Sequence, residues 1–391
     1  MRLTVELIDS QEVFENMVEW RRHLHQNPEL SFQEEKTAVF IKEKLESFGL
    51  DVQSNIGGNG VVASLSGDQP GRTIALRADF DALPIQDLKD VPYKSKKPGV
   101  MHACGHDGHT AALLGTAKTL VEKKHQLKGK VLFVFQHAEE LPPGGAKSMV
   151  EAQILKDVDR VFAAHLASDI SLGKVAIGDG LKMAAVDKFE MTIQGAGGHG
   201  GRPHATNDPI VIGGDILNGL QKIVSRKTDP LQSAVVTVGV FQAGNAFNVI
   251  PDTARLEGTV RTFDEGVRNQ VKEDIYRIVN GITDAYGATA KIDYLSGYPA
   301  LQNDPTETSI VKDVLENKFG KDSIVDFPTS MGAEDFSYFL LERPGTYFRV
   351  GSRNEKEATH YPHHHPKFDF DERAMVEIKN AFLAITTHYL S

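Results

Sequence analysis

RTIALRA (72–78), KVLFVF (130–135) and RVFAAHL (160–166) are three short apolar runs of strand length. What separates them decides the fold, because 107–124 and 145–157 read as helices. Strands alternating with helices predict βα crossovers and a mostly parallel sheet covered on both faces. Open sheets of this kind place their sites beyond the carboxyl ends of the strands. The residues that follow these runs are therefore the first candidates for chemistry.

Upstream, Val13, Phe14, Met17, Val18 and Leu24 recur at helical spacing. Ser31-Phe32-Gln33-Glu34 is a capping-box pattern, predicting a second amphipathic helix that runs to about Phe48 and stops at Gly49. Downstream the pattern changes near 185. DKFEMTIQG (187–195) alternates as a strand, and Asn207-Asp208-Pro209 opens a long helix. SAVVTVGVFQ (233–242) and TARLEGTVRT (253–262) are two more alternating strands, followed by a helix over 264–285 and the strand ATAKIDYL (288–295). After Tyr298-Pro299 the α/β pattern returns, with a helix capped by Asp304-Pro305-Thr306-Glu307 and a last helix over 371–388. The expected organisation is a discontinuous α/β domain, 1–184 plus 297–391, with an inserted α+β domain over 185–296.

The chain has 391 residues, 43 Lys and Arg against 53 Asp and Glu, a net charge of −10, and one cysteine. One cysteine makes no intrachain disulfide, which excludes a disulfide scaffold and favours a reducing compartment, the cytoplasm. No apolar run approaches the ~18–20 residues of a membrane span. The start, MRLTVELIDSQEVFEN, turns acidic at once and lacks the apolar stretch of a signal peptide. Negative charge without a basic block argues against nucleic acid as partner. No internal repeat of ~20–50 residues is visible.

The lone cysteine sits in MHACGHDGH (101–109). Cys104 and His106 share a face if the chain is extended there, and thiolate with imidazole makes half a metal site. Glu139 and Glu140 follow the run VLFVFQHA. Neighbours in an extended chain point to opposite sides, so one carboxylate can bind metal while the other faces a water. An isolated pair of glutamates is more often solvated charge. His165 ends RVFAAHL, where a histidine is more often a hydrogen-bonded core residue, but its place at a strand end favours a ligand. Asp79 and Asp81 share a face by their spacing and could orient ligands or bind metal. In His360-Tyr361-Pro362-His363-His364-His365-Pro366 one ligand is expected, since three consecutive histidines cannot all reach one ion. Together these groups point to a metal-dependent hydrolase.

A longer series of motifs resembles a known family. RRHLHQNPELSFQE (21–34), RADFDALPI (77–85), MHACGHDGHTAALLG (101–115), HAEE (137–140), GAGGHGGRPH (195–204), FNVIPD (247–252), MGAEDF (331–336) and HHPKFDFDE (364–372) run in order over nearly the whole chain. The set resembles the metal-dependent N-acyl-amino-acid amidohydrolases, which include hippurate and auxin-conjugate hydrolases within a wider metallo-exopeptidase and aminoacylase superfamily. The resemblance implies a zinc-exopeptidase-like catalytic domain with an inserted lid and dimerisation domain. It implies Cys104, His106, Glu140, His165 and His364 as ligands of one or two divalent ions, with His363 the alternative to His364. Mn²⁺ or Zn²⁺ are the leading metals, and Co²⁺ or Ni²⁺ also suit this donor set. Glu139 matches the catalytic base and Asp81 the aspartate that supports the ligands. His199 matches a histidine that reaches the neighbouring subunit's site in related dimers, so a homodimer or a higher homo-oligomer is expected. Asn248 and Arg261 match residues that hold the substrate carboxylate. One departure is Leu141-Pro142-Pro143 directly after the glutamates, where many relatives are glycine-rich.

The implied reaction is hydrolysis of an N-acyl amino acid to a carboxylic acid and a free amino acid. A dipeptidase, a carboxypeptidase or a carbamoyl-amino-acid hydrolase of the same superfamily is the nearest alternative. A hydrolase using Cys104 as nucleophile and a non-catalytic sensor are the more distant ones.

Overall fold

The computed structural model describes residues 11–391; the first ten residues of the acidic start lie outside them. In chain order the strands are β1 (Asp51–Ile56), β2 (Gly60–Ser66), β3 (Gln69–Asp79), β4 (Lys128–Gln136), β5 (Arg160–Ser171), β6 (Val175–Ile177), β7 (Gly180–Met183), β8 (Ala185–Gln194), β9 (Gly198–His199), β10 (Ala234–Ala243), β11 (Val249–Ile250), β12 (Thr253–Thr262), β13 (Thr289–Ser296), β14 (Leu301–Asn303), β15 (Ile324–Asp326) and β16 (Gly345–Arg353). The helices are α1 (Gln11–Gln26), α2 (Glu35–Ser47), α3 (His106–Glu122), α4 (Gly145–Glu151), α5 (Pro209–Lys222), α6 (Glu265–Tyr286), α7 (Pro305–Phe319), α8 (Ser337–Glu342) and α9 (Ala374–Leu390). None of the described helices is long and apolar enough to cross a membrane.

The chain divides into two compact units. The first takes the described residues up to Lys182, Gln302–Pro328 and Asp335–Ser391; the second takes Met183–Leu301 and Thr329–Glu334. The short return to the second unit at 329–334 carries no signal in the sequence and falls outside the expected insert.

In the first unit an eight-stranded sheet has the order β1-β2-β4-β3-β5-β16-β6-β15. Its centre, β4-β3-β5-β16, is parallel throughout, as the alternation of strands and helices predicts. Antiparallel pairs flank that centre. Side chains alternate across the sheet. Ile74, Leu76, Phe133, Phe135 and Phe162 point into the large core shared with α1, α3 and α9. By the same alternation Arg77, Asp79, Gln136 and His165 stand on the opposite face, and Arg77, Asp79 and Gln136 are wholly or almost wholly buried there. Each of those three is hydrogen-bonded, which is the condition for burying polar groups.

Gly49 ends the second helix region in the left-handed conformation, with φ +80, as expected of a helix stop. The capping box does not form. Helix α2 starts at Glu35 with no side-chain cap. The Ser31 hydroxyl donates instead to Asp81 at 2.7 Å, and the Glu34 carboxylate accepts the Ala138 N–H at 2.8 Å. Both groups are taken by distant partners, which outcompete the local cap. The predicted helix 145–157 is also shorter, ending at Glu151.

In the second unit a four-stranded antiparallel sheet, β10-β12-β8-β13, is covered on one face by α5 and α6. Ile212, Ile216, Leu220, Val271, Ile275 and Val279 pack on Phe189, Met191, Ile193 and Leu256. Asp208 and Asp264 cap the two helices through the N–H groups of Ile210 and Val267.

Candidate metal centre

Strand register assembles the site. β3 ends at Asp79, level with Gln136 at the end of β4. β5 aligns Ala163 with Arg77, which sets His165 level with Asp79. β5 itself runs on to Ser171. His165 is therefore inside its strand, not at its end as expected, and reaches the site because β3 stops beside it. Gly105 turns the chain between Cys104 and His106 with φ +95, a conformation that strains any residue with a Cβ, and α3 opens on His106.

Donor atoms of Cys104, His106 and His165 lie within 4.8 Å of one another, as do those of Cys104, Glu140 and His364, and those of His106, Glu139 and Glu140. Cys104 Sγ is 3.4 Å from His165 Nε2, and His364 Nε2 is 3.3 Å from Glu140 Oε1. The two glutamates do not point apart. Both carboxylates approach His106 Nε2, at 4.0 Å for Glu139 and 3.8 Å for Glu140; the chain bends through both residues instead of staying extended. His364 is also left-handed, with φ +64. Such residues cost on the order of 1–3 kcal/mol and persist where the surroundings fix them. Here the His364 N–H donates to Ala103 O at 2.8 Å, tying one candidate ligand to the segment that carries two others. His363 packs its ring against His165 with centroids 5.2 Å apart, its Nε2 accepting the Ser168 N–H at 3.3 Å.

These residues fit divalent ions. His106 Nδ1 faces Asp81 O at 3.0 Å and Asp81 Oδ1 at 3.2 Å, and His165 Nδ1 faces Leu166 O at 2.5 Å. Each ring thus keeps its proton on Nδ1 and offers Nε2 to the cluster. His106 Nε2 is buried with no hydrogen-bond partner, and Glu140 Oε1 is buried with His364 Nε2 at 3.3 Å as its contact. One thiol, three imidazoles and two carboxylates form a mixed donor set that suits Zn²⁺ and its neighbours and also Mn²⁺. The electrostatics agree. Burial pushes the Cys104 thiol well up, and Glu140 and Glu139 push it further. Burial disfavours charge on His106, yet Asp79, Asp81 and Glu140 raise it to about 10. A pocket that retains a proton on imidazole and refuses a thiolate has a negative potential, which a cation would invert. A nucleophilic cysteine needs the reverse, a lowered thiol value.

Asp81 accepts the Glu140 N–H at 3.0 Å as well as the Ser31 hydroxyl, so it fixes His106 and the glutamate loop together. Asp79, His106 and His109 form a further cluster, but its capacity is taken. His109 Nε2 accepts the Leu166 N–H at 2.9 Å, His109 Nδ1 meets Asp79 Oδ1 at 2.6 Å, and Arg77 Nη1 holds Asp79 Oδ2 at 2.6 Å. Both Asp79 oxygens are thereby engaged, one by His109 and one by Arg77. Sequence reasoning misses the parts played by Arg77 and His109; an arginine inside an apolar strand run is the available signal.

The three remaining sequence-predicted residues lie in the second unit. His199 on β9 pairs with Val249 on β11, and the Gly200 N–H donates to Asn248 O at 2.9 Å, so His199 and Asn248 are neighbours on an exposed loop pair. Arg261 is on β12, half-buried, with no hydrogen-bonded or ion-paired carboxylate among the described residues. Burial lowers its pKa, Asp187 opposing. The Asp187 carboxylate is itself taken by Arg268, Tyr294 and the Gly297 N–H.

The fold and the donor cluster define a metal-dependent hydrolase that acts on amide bonds. The chain belongs to the peptidase family M20/M25/M40, whose model matches residues 75–387. It is 51% identical over 292 residues to an N-acyl-L-amino acid amidohydrolase of Geobacillus stearothermophilus, covering 75% of this chain and 79% of that one. It is 42% identical to thermostable carboxypeptidase 2 of Saccharolobus solfataricus over 96% of both chains. Among solved structures, a dinuclear metal-binding M20 peptidase of Bacillus subtilis superposes with a TM-score of 0.79 at 36% identity, over 97% of this chain and 99% of that one.

Proposed function

We propose that this chain hydrolyses N-acyl amino acids to a carboxylic acid and a free amino acid. The observation that carries the reading is the convergence of donor atoms from Cys104, His106, Glu140, His165 and His364, with His106 Nε2 buried and without a hydrogen-bond partner and the Glu139 carboxylate beside it. Those five residues hold one or two divalent ions, Mn²⁺ or Zn²⁺ before Co²⁺ or Ni²⁺. A bound cation supplies Lewis acidity and a water whose pKa falls toward ~7.

The chain's own residues do the rest. Glu139 takes the proton from the attacking water and returns it to the leaving amine. Asp81 keeps His106 in the tautomer that presents Nε2. Arg261 has a guanidinium without a carboxylate of its own, which supports a role in gripping the substrate carboxylate bidentately. Asn248 assists it. His199 donates to the oxyanion of the tetrahedral state, a contact typically worth a few kcal/mol. The exposed apolar residues Phe247, Val249 and Leu295 support pairing of two copies through the second unit. A reducing cytoplasm suits a chain whose one cysteine is a ligand.

The name of the Geobacillus relative supports an N-acyl amino acid as substrate. The similarity to a carboxypeptidase keeps a second reading, since a peptide also ends in a carboxylate next to an amide. Metal analysis of the purified protein, with a hydrolysis panel of N-acetyl, N-benzoyl and indoleacetyl amino acids beside dipeptides, separates the two. Release of acyl acid with one or two metals per chain is the expected result. Cleavage of the dipeptides alone would replace the reading by the second, and full activity after exhaustive chelation would remove both.

A further inference from the structure

The geometry points to Arg21 as a positioning residue that clamps together the two chain segments carrying Cys104, His106 and His364, and so sets the affinity of the centre for its cation. The inference rests on the ligand set proposed above. Arg21 lies in the RRHLHQNPEL stretch, which has no part in the reaction as derived.

Arg21 is completely buried on α1. Its Nε donates to Asp107 Oδ2 at 3.0 Å, its Nη2 to Asp369 Oδ1 at 2.7 Å and its Nη1 to Glu372 Oε1 at 3.3 Å, the last two acceptors lying on the same strap. Asp107 directly follows His106, and Asp369 lies on the strap that begins at His364. The rings of Tyr93 and Phe370 hold the guanidinium between them, with centroids at 4.6 and 4.4 Å. Tyr93 also donates to Asp369 Oδ2 at 2.7 Å. One turn along α1, His25 faces the same way. Its Nδ1 meets Asp107 Oδ2 at 2.7 Å, and its Nε2 takes the Lys89 ammonium at 2.8 Å, which in turn donates to Phe368 O at 2.9 Å.

The two segments are thus joined at two points. The His364 N–H to Ala103 O bond closes one end. The Asp107–Arg21–Asp369 bridge closes the other. Cys104 and His106 lie between these joints, and His364 forms one of them. A buried ion pair is a poor source of net stability, because desolvation offsets most of the attraction. What a planar, multidentate guanidinium does supply is fixed geometry between two carboxylates, which a lysine ammonium cannot reproduce.

The test uses the full chain stripped of metal by chelation. Zn²⁺ or Mn²⁺ is titrated against a chromophoric chelator, and thermal unfolding is followed with and without the metal. Wild type is compared with R21K and with K118A, which removes a lysine of α3 from Glu12 on α1 and leaves every partner of Arg21 in place. R21K should lose about 10–100-fold in metal affinity, the usual effect of disturbing groups that support ligands, and its rise in Tm on metal loading should shrink. K118A should match wild type in metal affinity and in the metal-induced rise in Tm. A purely structural role would lower the metal-free Tm of R21K and leave the affinity and the metal-induced rise unchanged, which would overturn the inference. If R21K does not fold, D369N decides by the same two readouts. If wild type itself binds no metal, the proposed ligand set fails, and that outcome is distinct from an R21K protein that binds as wild type does.

Discussion

His109 accepts the backbone N–H of Leu166 on Nε2 at 2.9 Å while its Nδ1 meets the Asp79 carboxylate at 2.6 Å. One ring therefore ties three elements that serve the centre. α3 opens on His106, β5 carries His165 beside Leu166, and β3 ends at Asp79, two residues before Asp81. Arg77 extends the chain of bonds, reaching Asp79, Gln136 and Asp335 from one buried guanidinium.

Replacing His109 by alanine leaves a buried N–H and a buried carboxylate oxygen without their partner. Each such loss costs roughly 1–3 kcal/mol, so the variant should lose about 2–6 kcal/mol in denaturant unfolding and bind metal more weakly. An unchanged unfolding midpoint would show that the ring is dispensable.

Glu139 is the carboxylate assigned to proton transfer, lying 4.0 Å from His106 Nε2. Glu139→Gln keeps the shape and removes the base. Turnover should fall by about 10²–10⁴-fold, the usual range for general acid–base groups, with metal content nearly intact. Metal analysis and kcat on the same preparation check both halves. A variant that keeps most of its activity would move the base elsewhere.

Much of this architecture is legible in the sequence, for physical reasons. β3, β4 and β5 are buried on both faces, so their apolar runs stand out as strands. Asp208, Asp264 and Asp304 cap helices through bonds to residues two or three positions on, and such local bonds leave a local pattern. Ser31 and Glu34 carry the same pattern and do something else, because Asp81 and Ala138 compete for them from 50 and 104 residues away. The Arg21–Asp107 and Arg77–Asp335 pairs span 86 and 258 residues. No spacing rule reaches that far. His165 reads as a strand end because sequence shows where an apolar run stops, not where its neighbour does.

Cys104 sits in two of the donor groups, with His106 and His165 and with Glu140 and His364. Chelation should abolish activity, and adding back Mn²⁺ or Zn²⁺ should restore it. Iodoacetamide should react slowly while metal is bound, since the sulfur is then occupied. Cys104→Ala should weaken metal binding by at least ~10-fold, because losing a ligand costs no less than losing a group that supports one. Rapid inactivation of the metal-loaded protein by iodoacetamide, with chelator harmless, would favour a cysteine nucleophile instead.

Glu377 gives a pH test away from the centre. It lies on α9 with Oε2 accepting the Gly173 N–H at 3.2 Å. Burial is the main cause that raises its carboxyl to about 7; the Gly173 bond opposes, Asp371 adds and Arg373 opposes. The folded value thus lies above the ~4.3 of an unfolded glutamate. The native state holds this proton more tightly, so the contribution to stability is complete below about pH 4.3 and is lost as pH rises through about 7. Glu377→Gln keeps an acceptor for Gly173 and cannot ionise. It should exceed wild type by roughly 1–2 kcal/mol at pH 8, a figure reduced for partial exposure, and lose that advantage at pH 4. Denaturant unfolding of both proteins, metal-free at each pH so that metal linkage drops out, measures the difference. Parallel pH profiles for the two would show that the carboxyl titrates alike in the folded and unfolded chains.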